Sequence, residues 1–334
     1  MNLTPSNTHS TSPLPTRLVY ILAASHSGST LLAQLLGSHP EISTVGELKA
    51  TSLGDLERYR CSCGAFIRQC PFWALVRDRM RSHGIDFDIT RAGTDIRTGA
   101  TPYVQRLLRP LHRGPAFEAV RDLALALSPG WRAARPRIVA RTAALAASIC
   151  EVTGKRMVVD SSKIGLRLKY LLRTPALDIR VIRLIRDGRG VALAYVDPFS
   201  FADAKDPSLR GGGTGADRDA ERLSMTDAAR EWRRSNEEAE AVLSRLHPSR
   251  WTEARYEELC TKPRETLTRL FSFLGVADQD IDTRQERHVV GNGMRLDWQG
   301  DINLDERWRT ELNPELLPAF AAAAGDLNRR YGYR

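Results

Sequence analysis

Six small and polar residues, SHSGST at 25–30, follow a continuous apolar run at 17–24 and precede a leucine stripe at 31–36. The apolar run is typical of a buried parallel strand, and the leucine spacing is typical of a helix. At such a junction the backbone N–H groups of Ser27–Thr30 would point at a bound anion, and the helix dipole favours negative charge there. We therefore expect a phosphate group to bind at this turn.

The spacing of this turn departs from the loop of nucleotide kinases and NTPases, GxxxxGK[ST]. Here the residue before Ser29 is Gly28, and no lysine follows it. A P-loop kinase or nucleotide hydrolase remains an alternative, but it would lack the lysine that reaches the β- and γ-phosphates. An ordinary strand–helix turn is the other alternative.

Two more apolar runs end in residues that can bind anions. VVDSSK at 158–163 ends in Lys163, and VIRLIRDGRG at 181–190 contains Arg186. Because the carboxyl ends of parallel strands meet at one edge of a sheet, we expect both side chains near the serine-rich turn. An arginine there can hold a phosphate through two hydrogen bonds. Taken alone, Arg186 has an alternative interpretation as a salt-bridge partner of Asp187 or of the acidic surface.

The alternation of apolar runs and helical periods predicts an α/β fold, a mainly parallel sheet flanked by helices. We expect a disordered tail at 1–16, a single domain over 17–334, a helical insertion at about 50–150 and a possible lid at 197–225. Strands are predicted at 17–24, 156–160, 179–185 and 251–256.

The composition is globular, with 334 residues of which 42% are hydrophobic and 27% charged, so wholesale disorder and coiled coil are excluded. The sequence has neither a membrane-length apolar run nor a secretory signal at its start, so we expect a cytoplasmic protein without an integral membrane segment. The net charge is +9, and residues 103–141 are rich in arginine. This basic segment is either a solvated helical face or a rim that attracts an anionic ligand; without a recognised binding fold, we expect no nucleic acid partner.

Three of the five cysteines lie close together, Cys61, Cys63 and Cys70 in CSCGAFIRQC. They could form a metal site, but a nearby fourth ligand is missing, and His83 is the nearest other candidate. Structural zinc sites usually show two clean pairs of ligands. The sequence therefore favours small buried residues or free thiols, and we expect no metal.

The serine-rich turn, VVDSSK and VIRLIRDGRG follow one another along the chain. Together these motifs resemble those of sulfotransferases that use 3′-phosphoadenosine 5′-phosphosulfate (PAPS). The segment at 21–47 is similar to that family's 5′-phosphosulfate loop with its following helix, and 181–195 is similar to its 3′-phosphate segment. Gly46–Glu47, RYEEL at 255–259 and HVVGNGMR at 288–295 place the resemblance closest to the tyrosylprotein and carbohydrate branches and their bacterial relatives. The resemblance implies the P-loop-like sulfotransferase fold.

The resemblance also implies the reaction and its catalytic residues. PAPS would donate a sulfuryl group to a hydroxyl of an acceptor by in-line displacement. Glu47 would be the general base, and Lys163 would contact the bridging oxygen of the leaving phosphate. His26 stands where the family usually has arginine and can still donate to a sulfonate, although its charge depends on pH.

The nucleotide would be held by residues of several motifs. The family's serine eight positions after the 3′-phosphate arginine is Ala194 here, so one phosphate hydrogen bond is missing or is supplied elsewhere. The cofactor-binding residues implied by the resemblance are Ser27, Gly28, Ser29 and Thr30 for the 5′-phosphosulfate, Arg186 for the 3′-phosphate, Tyr256 near the nucleotide, and Gly291, Asn292 and Arg295 in a covering loop.

The acceptor cannot be deduced from these motifs: carbohydrate, lipid, peptide and secondary-metabolite hydroxyls all remain open, as does the oligomeric state. A non-catalytic protein that keeps the nucleotide site is a further alternative. The presence of both Glu47 and Lys163 argues against it.

Overall fold

The computed structural model describes residues 15–49, 53–109, 114–199, 204, 206–210, 222–280 and 287–334. Most of the predicted tail at 1–16 and most of the predicted lid at 197–225 lie outside these ranges.

Five strands form one parallel sheet in the order β2-β3-β1-β4-β5, which confirms the predicted α/β class. The strands are β1 (Thr16–Ala23), β2 (Ile42–Thr44), β3 (Met157–Lys163), β4 (Leu177–Ile185) and β5 (Trp251–Arg255). The three-residue β2 was not predicted, because so short a strand leaves almost no periodic signal. The central strand β1 pairs regularly with β4, but its register with β3 shifts between Tyr20 and Leu22.

The helices flank this sheet and account for just over half of the other residues that the structure describes. They are α1 (Ser29–Leu36), α2 (Pro71–Ser82), α3 (Pro102–Leu107), α4 (Pro115–Leu127), α5 (Pro129–Thr153), α6 (Gly165–Leu171), α7 (Gly188–Val196), α8 (Met225–Leu243), α9 (Tyr256–Thr261), α10 (Pro263–Leu274), α11 (Met294–Asp297), α12 (Trp308–Glu311) and α13 (Leu317–Arg330).

Alternate residues of β1 enter different hydrophobic clusters. Leu18 and Leu22 pack in a cluster with residues of α5 and α8, whereas Val19 and Ile21 pack with residues of α1 and α10. Both faces of the sheet are therefore covered, as expected for a parallel sheet. Within the described ranges, no helix is long and apolar enough to cross a membrane.

The predicted insertion is helical, and four of its helices, α2 to α5, begin at prolines. Proline fits the first helical position because it has no N–H to leave unpaired. Its arginines have more than one role. Arg121 is buried 3.4 Å from Glu118, and Arg141 donates to the carbonyls of Asp86 and Ala92 at 2.6 and 2.5 Å. These two arginines contribute to internal packing, while Arg106 and Arg109 are exposed.

Candidate active site

The carboxyl ends of the five strands bring the predicted site residues to one edge of the sheet. The serine-rich turn follows β1, which lies between β3 and β4, and this is where parallel α/β sheets usually bind ligands. Lys163 ends β3, Arg186 follows β4, and Tyr256 follows β5. Residues from distant parts of the sequence thus share one edge.

The turn after β1 is shaped by Gly28, which has φ +86° and immediately precedes α1. A Cβ on Gly28 would lie 2.4 Å from Cδ2 of Tyr256, so the backbone and this ring pack too closely for any other residue. Ser27 and Ser29 are buried, and Thr30 is half-buried. The described residues give α1 no side-chain cap, so the N–H groups of its first turn are suited to an anion.

Two non-glycine residues at this edge have left-handed backbones. They are His26 with φ +60° and Lys163 with φ +68°. Such conformations cost about 1–3 kcal/mol each and concentrate at functional sites. The His26 ring packs edge-on against Tyr195, with 4.7 Å between ring centroids.

The buried Arg186 guanidinium lies between the serine-rich turn and the C-terminal part of the chain. It donates to the carbonyl of His26 at 2.9 Å, and to the carbonyl and carboxylate of Asp305 at 2.9 and 3.1 Å. It also lies 4.3 Å from the ring centroid of Tyr256. Arg186 therefore forms the ion pair of the salt-bridge alternative, with Asp305, 119 positions away, in place of Asp187.

Glu47 lies between two lysines. Lys163 Nζ donates to its Oε1, and Lys49 Nζ lies 3.1 Å from its Oε2. Burial raises the pKa of Glu47, but the charges and hydrogen bonds of Lys163 and Lys49 outweigh burial and lower it to about 2. Glu47 is therefore a carboxylate at neutral pH, which is the form a general base requires. Lys49 is not among the predicted site residues, although its position two residues after Glu47 in the sequence is a signal that could have indicated it.

An irregularity of β3 holds the segment that carries Glu47. Where the register of β1 and β3 shifts, Ser161 N–H donates to the Gly46 carbonyl at 2.9 Å. The buried Asp160 carboxylate accepts from Leu48 N–H at 3.0 Å, and Ser162 Oγ accepts from Lys49 N–H at 3.1 Å. The motif VVDSSK therefore positions Glu47 as well as supplying Lys163, a role that sequence reasoning missed.

Residues 288–295 pack against the same segment. Val290 N–H donates to the Val45 carbonyl at 2.9 Å, and a Cβ on Gly291 would lie 3.7 Å from Cγ of Glu47. The buried Arg295 donates to the carbonyls of Gly291 and Asn292 at 2.8 and 2.9 Å. Asn292 Oδ1 accepts from Met294 N–H at 2.9 Å within this segment, and Arg295 also donates to the Arg60 carbonyl outside it. The assignment of Asn292 and Arg295 to the nucleotide stays a prediction.

A cavity of about 330 Å³ lies among α4, α6 and α8. Its lining includes Glu238, whose pKa burial raises to about 7, but none of the site residues above. The candidate active site is therefore the open sheet edge and not this cavity.

Known proteins share both the sequence pattern and the fold. The model of the sulfotransferase family matches residues 116–280, and mouse carbohydrate sulfotransferase 5 is 26% identical over 335 residues, covering 95% of this chain and 80% of that protein. The chain therefore resembles the sulfotransferase family in sequence, as its motifs indicated. The sulfotransferase domain of the olefin synthase from Synechococcus PCC 7002 has 20% sequence identity and a TM-score of 0.50, covering 97% of both chains. This chain has that domain's fold, as the resemblance implied.

The segment matched by the sulfotransferase family model, 116–280, contains Lys163, Arg186 and Tyr256. It excludes the serine-rich turn and Glu47, which the structure brings to the same sheet edge. The candidate site thus combines residues inside the matched segment with residues outside it, and the fold brings the two groups together at one sheet edge.

The close approach of Gly28 and Tyr256 predicts the effect of a single methyl group. Gly28→Ala should abolish nucleotide binding in calorimetry, because the turn must move to clear the ring. Gly154→Ala is the matched control: Gly154 has φ +67° and open space around its Cβ position, so it should lose about 1–2 kcal/mol of stability but keep its nucleotide affinity. Normal affinity in Gly28→Ala would show that the turn does not bind the nucleotide.

Proposed function

We propose that this protein transfers a sulfuryl group from PAPS to a hydroxyl of its acceptor, with Glu47 as general base. The observation that carries the proposal is the pairing of Glu47 with Lys163 at the sheet edge that also holds the turn at 27–30. A base for the acceptor and a cation for the leaving group lie together there. The reaction needs both, because the leaving phosphate gains negative charge while the acceptor hydroxyl loses a proton.

The residues present fit the donor nucleotide. The buried hydroxyls of Ser27 and Ser29, and the first turn of α1 without a side-chain cap, suit a phosphosulfate. Arg186 suits the 3′-phosphate, which would replace the Asp305 carboxylate on the guanidinium. When bound, PAPS supplies an activated sulfuryl group and leaves as adenosine 3′,5′-bisphosphate.

The chain's own residues supply proton transfer and charge stabilisation. The acceptor hydroxyl gives its proton to Glu47 as the new oxygen–sulfur bond forms and the old sulfur–oxygen bond to phosphate breaks. Lys163 leaves Glu47 and donates to the phosphate oxygen on which charge accumulates. This exchange frees the Glu47 carboxylate at the moment when it must accept a proton.

For the acceptor, the mouse relative named a carbohydrate sulfotransferase supports a sugar hydroxyl as the first class to test. The test uses sulfur-labelled PAPS with a panel of saccharides and with an extract of the source organism, followed by mass spectrometry of labelled products. We expect the label on an acceptor oxygen. Phosphoryl transfer from ATP to the same acceptors would instead support the kinase alternative.

Ala194 provides a test of the 3′-phosphate position. It is buried on α7, the helix that begins just after Arg186. Ala194→Ser should tighten the binding of adenosine 3′,5′-bisphosphate by about 1 kcal/mol, without changing the affinity for adenosine 5′-phosphate. Ala192→Ser, on the same helix, should tighten neither. Equal tightening of both nucleotides by Ala194→Ser would place the 3′-phosphate elsewhere.

A further inference from the structure

Four potential metal ligands that are not among the candidate active-site residues come together: Cys61, Cys63, Cys70 and His288. Their ligand atoms all lie within 4.8 Å of one another. Cys61 and Cys70 are buried, while Cys63 and His288 are half-buried. His288 is the fourth ligand that the sequence did not supply near the cysteines. The predicted candidate, His83, lies instead 3.1 Å from Glu151.

Three of the six separations between the ligand atoms match those around one tetrahedral ion. Zinc–sulfur bonds of about 2.3 Å and zinc–nitrogen bonds of about 2.0 Å require about 3.8 Å between two sulfurs and about 3.5 Å between sulfur and nitrogen. The Sγ atoms of Cys63 and Cys70 lie 3.7 Å apart. Nδ1 of His288 lies 3.8 Å from Sγ of Cys61 and 3.6 Å from Sγ of Cys70.

A disulfide does not account for this arrangement. All three cysteines are free, and the 3.7 Å between Cys63 and Cys70 is far longer than a sulfur–sulfur bond of about 2.05 Å. Thiols packed only as small apolar residues would have no reason to direct two sulfurs at one imidazole nitrogen. A set of three soft sulfurs and one imidazole is typical of zinc.

We propose that Cys61, Cys63, Cys70 and Nδ1 of His288 bind one Zn²⁺ ion in a closed, tetrahedral, structural site. This replaces the sequence-based expectation of free thiols and no metal. That expectation depended on the lack of a fourth ligand close in sequence, whereas His288 is 218 positions from Cys70. The proposal does not rest on the proposed function, because the site shares no ligand with the sheet edge.

The surrounding backbone is built to hold the ligands. Cys61 N–H donates to the Ala65 carbonyl and Gly64 N–H to the Cys61 carbonyl, both at 2.9 Å. With Gly64 at φ +86°, the chain turns tightly and presents two cysteines to one point. The His288 ring stacks on Phe72, with 4.3 Å between centroids and 4° between planes, which fixes the imidazole orientation.

A metal at this site would stabilise the position of residues 288–295, the segment that packs next to Glu47. Ser62 N–H donates to the Val289 carbonyl at 3.2 Å, and Ser62 Oγ accepts from Val289 N–H at 2.8 Å. Residues 288–295 contain little regular structure, with only the start of the four-residue α11. A metal bond at His288 therefore adds a strong constraint where helix and sheet hydrogen bonds are few.

The test measures metal directly in the full chain, purified under reducing conditions from zinc-supplemented cells. Elemental analysis should give one zinc per chain in the wild type. Cys70→Ser and His288→Ala should lose it, whereas Cys260→Ser, which removes a buried cysteine outside the cluster, should keep it. X-ray absorption should show three sulfur ligands and one nitrogen ligand.

A second measurement does not depend on whether the variants fold. Wild-type protein stripped with a chelator should take up Co²⁺ and acquire the intense visible absorption of tetrahedral thiolate-bound cobalt, and Zn²⁺ should displace that absorption. The stripped protein should melt at a lower temperature and recover when Zn²⁺ is returned. A reduced wild-type chain without zinc that also takes up no Co²⁺, or a Cys63–Cys70 disulfide in the protein as isolated, would overturn the proposal.

Discussion

Glu47→Gln should lower kcat by roughly 10²–10⁴-fold, the usual contribution of a general base, and should leave the affinity for adenosine 3′,5′-bisphosphate unchanged. The amide keeps the shape of the carboxyl group but cannot accept the acceptor's proton. The measurement is steady-state transfer of label from PAPS, together with calorimetric titration of the nucleotide product.

The matched control for this prediction is Glu57→Gln, which neutralises an exposed glutamate paired with Arg68 at 2.6 Å. It should leave kcat unchanged. Because Glu47→Gln leaves two lysines without their carboxylate, the melting temperature of this variant must be compared with the wild type before turnover is interpreted. A folded Glu47→Gln variant with near-normal turnover would make Glu47 a structural acid that only pairs with lysines.

Lys163→Met should lower kcat by about 10²–10³-fold, the usual loss when one donor to a developing negative charge is removed. Lys49→Met is the matched control, because Lys49 also pairs with Glu47 but has no assigned contact with the leaving phosphate. We expect Lys49→Met to lose much less turnover. Equal losses in the two variants would mean that Lys163 acts only by holding Glu47.

The pH dependence separates these two roles further. In the wild type, burial raises the pKa of Glu47, and the two lysines lower it to about 2, so protonation of Glu47 reduces kcat/KM only in strong acid. Removing either lysine removes one of the two charges that lower the pKa of Glu47, so burial raises that pKa. The acid limb of the kcat/KM profile should therefore move to higher pH in both variants, while only Lys163→Met loses most of its turnover on the pH plateau.

Much of the fold and part of the site could be predicted because their signals are local. The apolar runs at 17–24 and 179–185 are strong strand patterns, and parallel pairing then places their following residues at one edge. The turn at 27–30 could be predicted because small residues between a strand and a helix are typical of an anion-binding turn. The structure bears out both strands and the position of the turn.

The rest depended on contacts between residues distant in sequence. Nothing near Arg186 indicates that Asp305 pairs with it, and nothing near Cys70 indicates His288. The role of Asp160 and Ser162 in holding Glu47 follows from a shifted register between β1 and β3, and hydrophobic periodicity does not report such a shift. Tertiary packing, and not local propensity, decides these features.

The central claim is that the turn at 27–30 and Arg186 together bind the nucleotide of PAPS. Its most direct test is calorimetric titration of the wild type and Arg186→Ala with adenosine 3′,5′-bisphosphate, adenosine 5′-phosphate, and ATP with magnesium. The wild type should bind the bisphosphate about 10–100-fold more tightly than the 5′-phosphate, the equivalent of about 1.5–3 kcal/mol for hydrogen bonds to a charged group. Arg186→Ala should erase that difference. Equal wild-type affinity for the two adenosine phosphates, or tighter binding of ATP with magnesium, would contradict the account.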